Sequence, residues 1–137
     1  MQKLIIDPGN RTPSIMLSPD ENVFYIRGTS SPEDVRKLYY PVIEWINKFI
    51  EEILNDGFKT FNIENPLRFQ FDLNYFNSSS TKFFFDMLTE FKKLPVGFPF
   101  IVEWYYDQED TDMKEAGVDF SKLLEMEFSF ISKPAKF

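Results

Sequence analysis

Hydrophobic positions in this chain recur with a period of two in some stretches and at three and four in others. Leu4, Ile5 and Ile6 suggest a short strand, closed by the turn signal Asp7-Pro8-Gly9-Asn10. Residues 12–18 read as a strand with Ile15 and Leu17 on one face, and residues 23–28 as the next; the short turn between them makes a β-hairpin. Thr29-Ser30-Ser31-Pro32-Glu33-Asp34 is a helix start, with Ser31 as N-cap, Pro32 at the first helical position and acids in the first turn. The helix should run to about Asn55, where Asn55-Asp56-Gly57 supplies a stop. Val35, Leu38, Tyr39, Val42, Ile43, Ile46, Phe49, Ile50 and Ile53 form one apolar stripe, opposite Glu44, Lys48, Glu51 and Glu52. An acidic polar face fits a helix laid on a sheet better than one laid on a membrane.

In residues 66–76, Leu67, Phe69, Phe71, Leu73 and Tyr75 alternate with Arg68, Gln70, Asp72 and Asn74, so one strand face is core and the other polar. A helix over about 79–93 follows, with Phe84, Met87, Leu88 and Phe91 inward, and then a strand over 99–106. Residues 112–125 suggest a short helix around Phe120, Leu123 and Leu124, interrupted by Gly117. A last strand covers 128–131. A single domain over 1–132, with 133–137 as a tail, has the order β-β-α-β-α-β-α-β. That order predicts an α/β (α+β) fold, one mixed sheet with helices packed on it. The step from Phe69 to Trp104 should be a right-handed crossover between parallel strands.

The junction between the strand over 66–76 and the second helix carries Asn77-Ser78-Ser79-Ser80-Thr81-Lys82. Ser78 or Ser79 could simply cap the helix, worth about 1 kcal/mol. Four successive hydroxyls exceed what a cap needs, because one side chain satisfies only one or two of the free amides. A strand that delivers hydroxyls to a helix N-terminus also suits a phosphate, either bound or esterified.

Composition narrows the chemistry. The 137 residues are 43% hydrophobic and 27% charged, the balance of one globular domain. Phe contributes 17 residues and aromatics 18%, so the core should be aromatic-rich. Cys and His are both absent, which removes thiolate chemistry, disulfides and the commonest general base and metal ligand. The expectation is a non-enzymatic protein without a cofactor. A net charge of −7 disfavours nucleic acid and anionic membranes as partners. No apolar run is long enough to span a bilayer, and the first residues do not read as a signal peptide, so a cytoplasmic location is the expectation.

Asp107-Gln108-Glu109-Asp110-Thr111-Asp112 could be a loose hard-cation site or a docking surface for a basic partner. It does not match the calcium-loop pattern, since Glu115 stands where Gly is required. Trp104, Tyr105 and Tyr106 beside it read as part core and part interface rim. Asp72 and Asp86 have no nucleophile or third catalytic member nearby in sequence and read as structural.

Tyr75-Phe76-Asn77-Ser78-Ser79-Ser80-Thr81-Lys82, after its alternating strand, resembles the Tyr-Phe-Asn-Thr-Ser-Ser-x-Lys signature of the SiaC family of bacterial regulatory phosphoproteins. Supporting similarities are Thr12-Pro13-Ser14-Ile15, Ser31-Pro32-Glu33, Tyr40-Pro41, Trp45, Trp104-Tyr105-Tyr106 and Asp110-Thr111-Asp112-Met113. The resemblance implies a fold similar to the STAS domains of anti-sigma-factor antagonists. It implies phosphorylation of a hydroxyl at the strand–helix junction by a SiaB-like Ser/Thr kinase, reversed by a SiaA-like phosphatase of the PP2C type. It also implies that the unmodified form binds an output protein such as a diguanylate cyclase. By position the acceptor would be Ser78, where this chain has Ser in place of the family's Thr. Asn77, Ser79, Ser80, Thr81, Lys82, Trp104, Tyr106 and Asp110 would then face partners. A small-ligand sensor that binds a nucleotide or phosphorylated metabolite at the same helix terminus is the alternative left open.

Overall fold

The computed structural model describes residues 1–56 and 60–134. Six strands form one sheet in the order of the chain: β1 (Leu4–Ile6), β2 (Ser14–Ser18), β3 (Val23–Ser30), β4 (Leu67–Phe76), β5 (Phe100–Asp107) and β6 (Phe128–Lys133). Strands β1 to β3 are antiparallel, which includes the expected hairpin, while β3 to β6 run parallel. The parallel pairs are joined by α1 (Val35–Asp56), α2 (Ser78–Phe91) and α3 (Thr111–Leu124). Helix α2 packs against both α1 and α3, and the one-directional order of the parallel strands, with the general right-handed rule for such crossovers, puts all three helices on one face. This is the mixed α/β domain expected, with the crossover between β4 and β5 parallel as predicted.

The sheet's helix-facing side chains include Ile15, Leu17, Phe24, Ile26, Phe69, Phe71, Val102 and Trp104, all 1% exposed or less. They meet the α1 stripe (Val42, Ile46, Phe49, Ile50) and Phe84, Met87 and Leu88 of α2. Phe71 lies edge-on to Phe84 and tilted on Trp104, each at 5.3 Å between ring centroids. The opposite sheet face is polar and open, as expected: Arg27, Gln70, Glu103 and Tyr105 form a hydrogen-bonded row across three strands. Lys133 pairs with Asp72 there and lies 3.9 Å from Asp107. Among the described residues no helix is long and apolar enough to cross a membrane.

Several expected boundaries shift. The α1 cap is Asp34, whose carboxylate accepts from Lys37 N at 3.1 Å, and not Ser31, whose N–H is drawn to Arg11 O at 2.8 Å. The Gly57 of the expected stop lies outside the described residues. Lys133, expected in the tail, is paired in β6 opposite Asp107, and residues 135–137 of that tail lie outside the described residues.

Gly117 does not interrupt α3. A Cβ at that position would come within 2.6 Å of the Trp104 indole, so its absence lets the helix sit directly on the ring. Leu123 points outward, 71% exposed, while Met113, Phe120 and Leu124 face the core.

Candidate functional site

Because β3, β4 and β5 are parallel, their C-terminal ends and the N-termini of α1, α2 and α3 share one edge of the sheet, where open α/β sheets place their sites. Strand β4 reaches that edge with a bulge. Gly28, at φ +107°, pairs with Leu73, but the next residue, Thr29, pairs with Tyr75. Asn74 is the extra residue, and side-chain facing reverses after it. Tyr75, expected in the core by alternation, is therefore 55% exposed. Phe76 turns inward instead, edge-on to Phe84 at 5.4 Å and to Trp104 at 6.1 Å.

Asn77, at φ −87° and ψ 170°, then caps α2. Its Oδ1 accepts from Ser80 N at 3.0 Å, Ser80 Oγ at 2.8 Å and Ser79 Oγ at 2.9 Å. The cap is thus Asn77, and neither Ser78 nor Ser79 has that task. A main-chain N–H among these donors fixes which end of the amide is oxygen.

The hydroxyl run is sorted by this geometry. Ser80 is fully buried, bonded to Ser30 Oγ at 2.8 Å and to Ser30 O at 3.1 Å. It was expected to face partners; its place under the helix turn makes it an internal tie instead. Thr81 Oγ1 donates back to Asn77 O at 3.4 Å, and Ser79 is held by Asn77. Ser78, the first residue of α2, is exposed, and among the described residues its hydroxyl makes no hydrogen bond. The first N–H groups of a helix have no intrahelical acceptor, and the helix dipole is positive there. One turn on, Lys82 is exposed and 3.5 Å from Asp86.

Beneath the junction lies a chain of hydroxyls that the sequence pattern did not reveal. Ser30 Oγ is 2.6 Å from the Tyr39 hydroxyl and 2.8 Å from Ser80 Oγ, and all three residues are fully buried. One assignment uses each proton once: Tyr39 donates to Ser30, Ser30 to Ser80, and Ser80 to Asn77 Oδ1. Burial pushes the Tyr39 phenol well above its ordinary value, with the Ser30 bond opposing more weakly, so it stays a neutral donor. Ser30 O also accepts from Asn77 N at 3.0 Å. The end of β3 thereby clamps the start of α2. In sequence, Ser30 reads only as part of the α1 start, since its partner Ser80 lies 50 residues away.

The acidic run sits across a cleft of ≈ 340 Å³ from the end of β4; Tyr75, Phe76, Asp110 and Asp112 are among its lining residues. Asp110 caps α3 by accepting from Met113 N at 3.0 Å. Among the described residues no group of three or more acids is placed to hold a metal ion. Tyr106 is half-buried, with Lys114 Nζ 5.6 Å from its ring centroid. Trp104, expected to serve partly as an interface residue, is fully buried and donates from Nε1 to Met113 O at 2.9 Å. Its bulk is used to seat α3, so it offers no surface.

A family model described as SiaC family regulatory phosphoprotein matches residues 6–133. The chain belongs to the SiaC family. Its role is accordingly regulatory and not enzymatic. An uncharacterized protein of Pseudomonas aeruginosa (strain UCBPP-PA14) is 29% identical over 121 residues, 88% of each chain. Apo-SiaC from Pseudomonas aeruginosa is 27% identical and superposes with a TM-score of 0.76, over 97% of this chain and 99% of that one. The same identity and score hold for a chain in the crystal structure of the diguanylate cyclase SiaD in complex with its activator SiaC, over 96% of this chain and 99% of that one.

Proposed function

We propose that this SiaC-family protein is a switch whose β4–α2 edge docks an output protein, a diguanylate cyclase of the SiaD kind, when Ser78 is unmodified. Docking ends when Ser78 is phosphorylated. The observation that carries this reading is that, of the four hydroxyls at residues 78–81, that of Ser78 at the first position of α2 is exposed and makes no hydrogen bond among the described residues, while the other three are each bonded. In the forward step Ser78 Oγ attacks the γ-phosphorus of ATP held by a SiaB-like Ser/Thr kinase. The Oγ–P bond forms, the bond to the β-phosphate oxygen breaks, ADP leaves, and the hydroxyl proton passes to a base on the kinase. A SiaA-like PP2C phosphatase reverses the state by hydrolysis.

The phosphoryl group adds about −1.5 to −2 charge where free N–H groups and the helix dipole tolerate it, so the fold persists. The surface formed by Asn77, Ser79, Lys82, Tyr75 and Asp110 changes sharply, and a partner seated there meets new bulk and a charge it must desolvate. The experiment is co-production with a histidine-kinase-like Ser/Thr kinase, followed by fragment mass spectrometry. Phosphate on Ser78 that vanishes in Ser78→Ala is expected; phosphate only outside residues 78–81, or none, refutes the reading.

A further inference from the structure

Four hydroxyls stand in a row, yet a switch needs one defined acceptor, and the contacts around Asn77 discriminate among them. We infer that Asn77 is the specificity-determining residue that directs phosphoryl transfer to Ser78 by holding back Ser79. This inference rests on the reading of Ser78 as a phosphosite.

Ser79 is exposed, as Ser78 is, and lies one residue further into α2, so accessibility alone does not separate them. Hydrogen bonding does. Ser79 Oγ donates its only proton to Asn77 Oδ1 at 2.9 Å, which turns the hydroxyl back onto the cap. To attack a γ-phosphorus it must break that bond, rotate outward and redirect the proton to the kinase's base. Ser78 Oγ needs none of these changes. A net hydrogen bond of about 1 kcal/mol corresponds to roughly a fivefold preference.

The other two hydroxyls are withheld differently. Ser80 is fully buried, and Thr81 is bonded to the main-chain oxygen of Asn77, which no side-chain substitution removes. Asn77 can act as a firm reference because its own amide is anchored from below by Ser80 Oγ, itself tied through Ser30 to Tyr39.

The test is the distribution of phosphate in the full chain after co-production with the kinase, read by fragment mass spectrometry in wild type, Asn77→Gly and Asn77→Asp. Glycine is a tolerated N-cap, so Asn77→Gly removes the Oδ1 acceptor while the helix still starts at the same place. The ratio of Ser79 to Ser78 phosphate should rise roughly fivefold in Asn77→Gly while Thr81 stays at its wild-type share, and Asn77→Asp, which keeps an acceptor oxygen, should restore the wild-type ratio. Ser79 and Thr81 rising together would mean that the helix end has frayed, which overturns the assignment to the side chain. An unchanged ratio in Asn77→Gly overturns the inference alone, whereas a wild-type chain with no phosphate on residues 78–81 overturns the phosphosite reading and the inference with it.

Discussion

Removing the Ser30 hydroxyl should change the sign of a second substitution nine residues away. In Ser30→Ala the Tyr39 hydroxyl loses its 2.6 Å partner while remaining fully buried. Ser80 Oγ is less affected, because Asn77 Oδ1 and Ser30 O remain as acceptors at 2.8 and 3.1 Å. Two hydrogen bonds are lost: the one to Ser80, about 1 kcal/mol net, and the one to Tyr39, whose buried donor is orphaned at about 1–3 kcal/mol, or roughly 2–4 kcal/mol together. Tyr39→Phe in the wild-type background removes a donor whose partner Ser30 still bonds Ser80, at a cost of about 1 kcal/mol. In the Ser30→Ala background the same Tyr39→Phe change removes the orphan, and stability should rise by about 1–2 kcal/mol. Urea unfolding followed by far-UV circular dichroism resolves this, since an m-value of about 1–3 kcal/mol/M turns such differences into midpoint shifts of about 0.3 M or more. Equal effects of Tyr39→Phe in the two backgrounds would refute the claim that the three hydroxyls form one chain.

Further expectations concern the helices, the tyrosines and the edge. Gly117→Ala should destabilise the protein by about 1–3 kcal/mol through the clash with Trp104, although alanine is the better helix former by about 1 kcal/mol; a gain in thermal midpoint would contradict the packing. Burial holds Tyr39 above its ordinary value, and burial together with Glu103 and Asp72 does the same to Tyr105 against the pull of Arg27 and Arg68. Raised folded values mean that this stability is fully present below the unfolded value near 10 and is lost as pH rises from there toward the folded values. Urea midpoints should thus fall above about pH 10, and less steeply in Tyr39→Phe, while a flat profile would contradict the burial. Tyr75→Ala should leave the unfolding free energy from urea titration within about 0.5 kcal/mol of wild type, because its side chain is exposed past the bulge, yet weaken docking; a large loss of stability would contradict the reversed facing.

Local signals carried most of the architecture. The hairpin, the α1 stripe and the alternation in β4 depend on neighbours in sequence, and they were readable. The misassignments arise where two neighbouring residues are chemically equivalent for a local rule. Asn77, Ser78 and Ser79 are all good caps, and only the geometry at the strand's end chooses Asn77. Tyr75 and Phe76 are both large aromatics, so nothing in the alternation marks Asn74 as the residue where facing reverses. Gly117 reads as a helix breaker until the Trp104 indole is set against it, and Trp104 reads as amphipathic until α3 covers it. Ser30 and Tyr39 enter the site only through contacts with Ser80 and with each other, in places where local patterns assign them to a helix start and an apolar stripe. Of the residues expected to face partners, Ser79, Thr81 and Lys82 are exposed beside the proposed acceptor Ser78, Asn77, Tyr106 and Asp110 are half-buried, and Ser80 and Trp104 are buried beneath them.

The central claim is that the state of Ser78 decides docking. The direct measurement is calorimetric titration of a SiaD-type diguanylate cyclase with two preparations of the full chain, unmodified and kinase-modified on Ser78, with Ser78→Ala carried through the same kinase treatment. Saturable binding by the unmodified chain and by Ser78→Ala, weakened tenfold or more in the phosphorylated chain by about 1.4 kcal/mol or above, is the predicted result. Equal affinity of the modified and unmodified chains would contradict it.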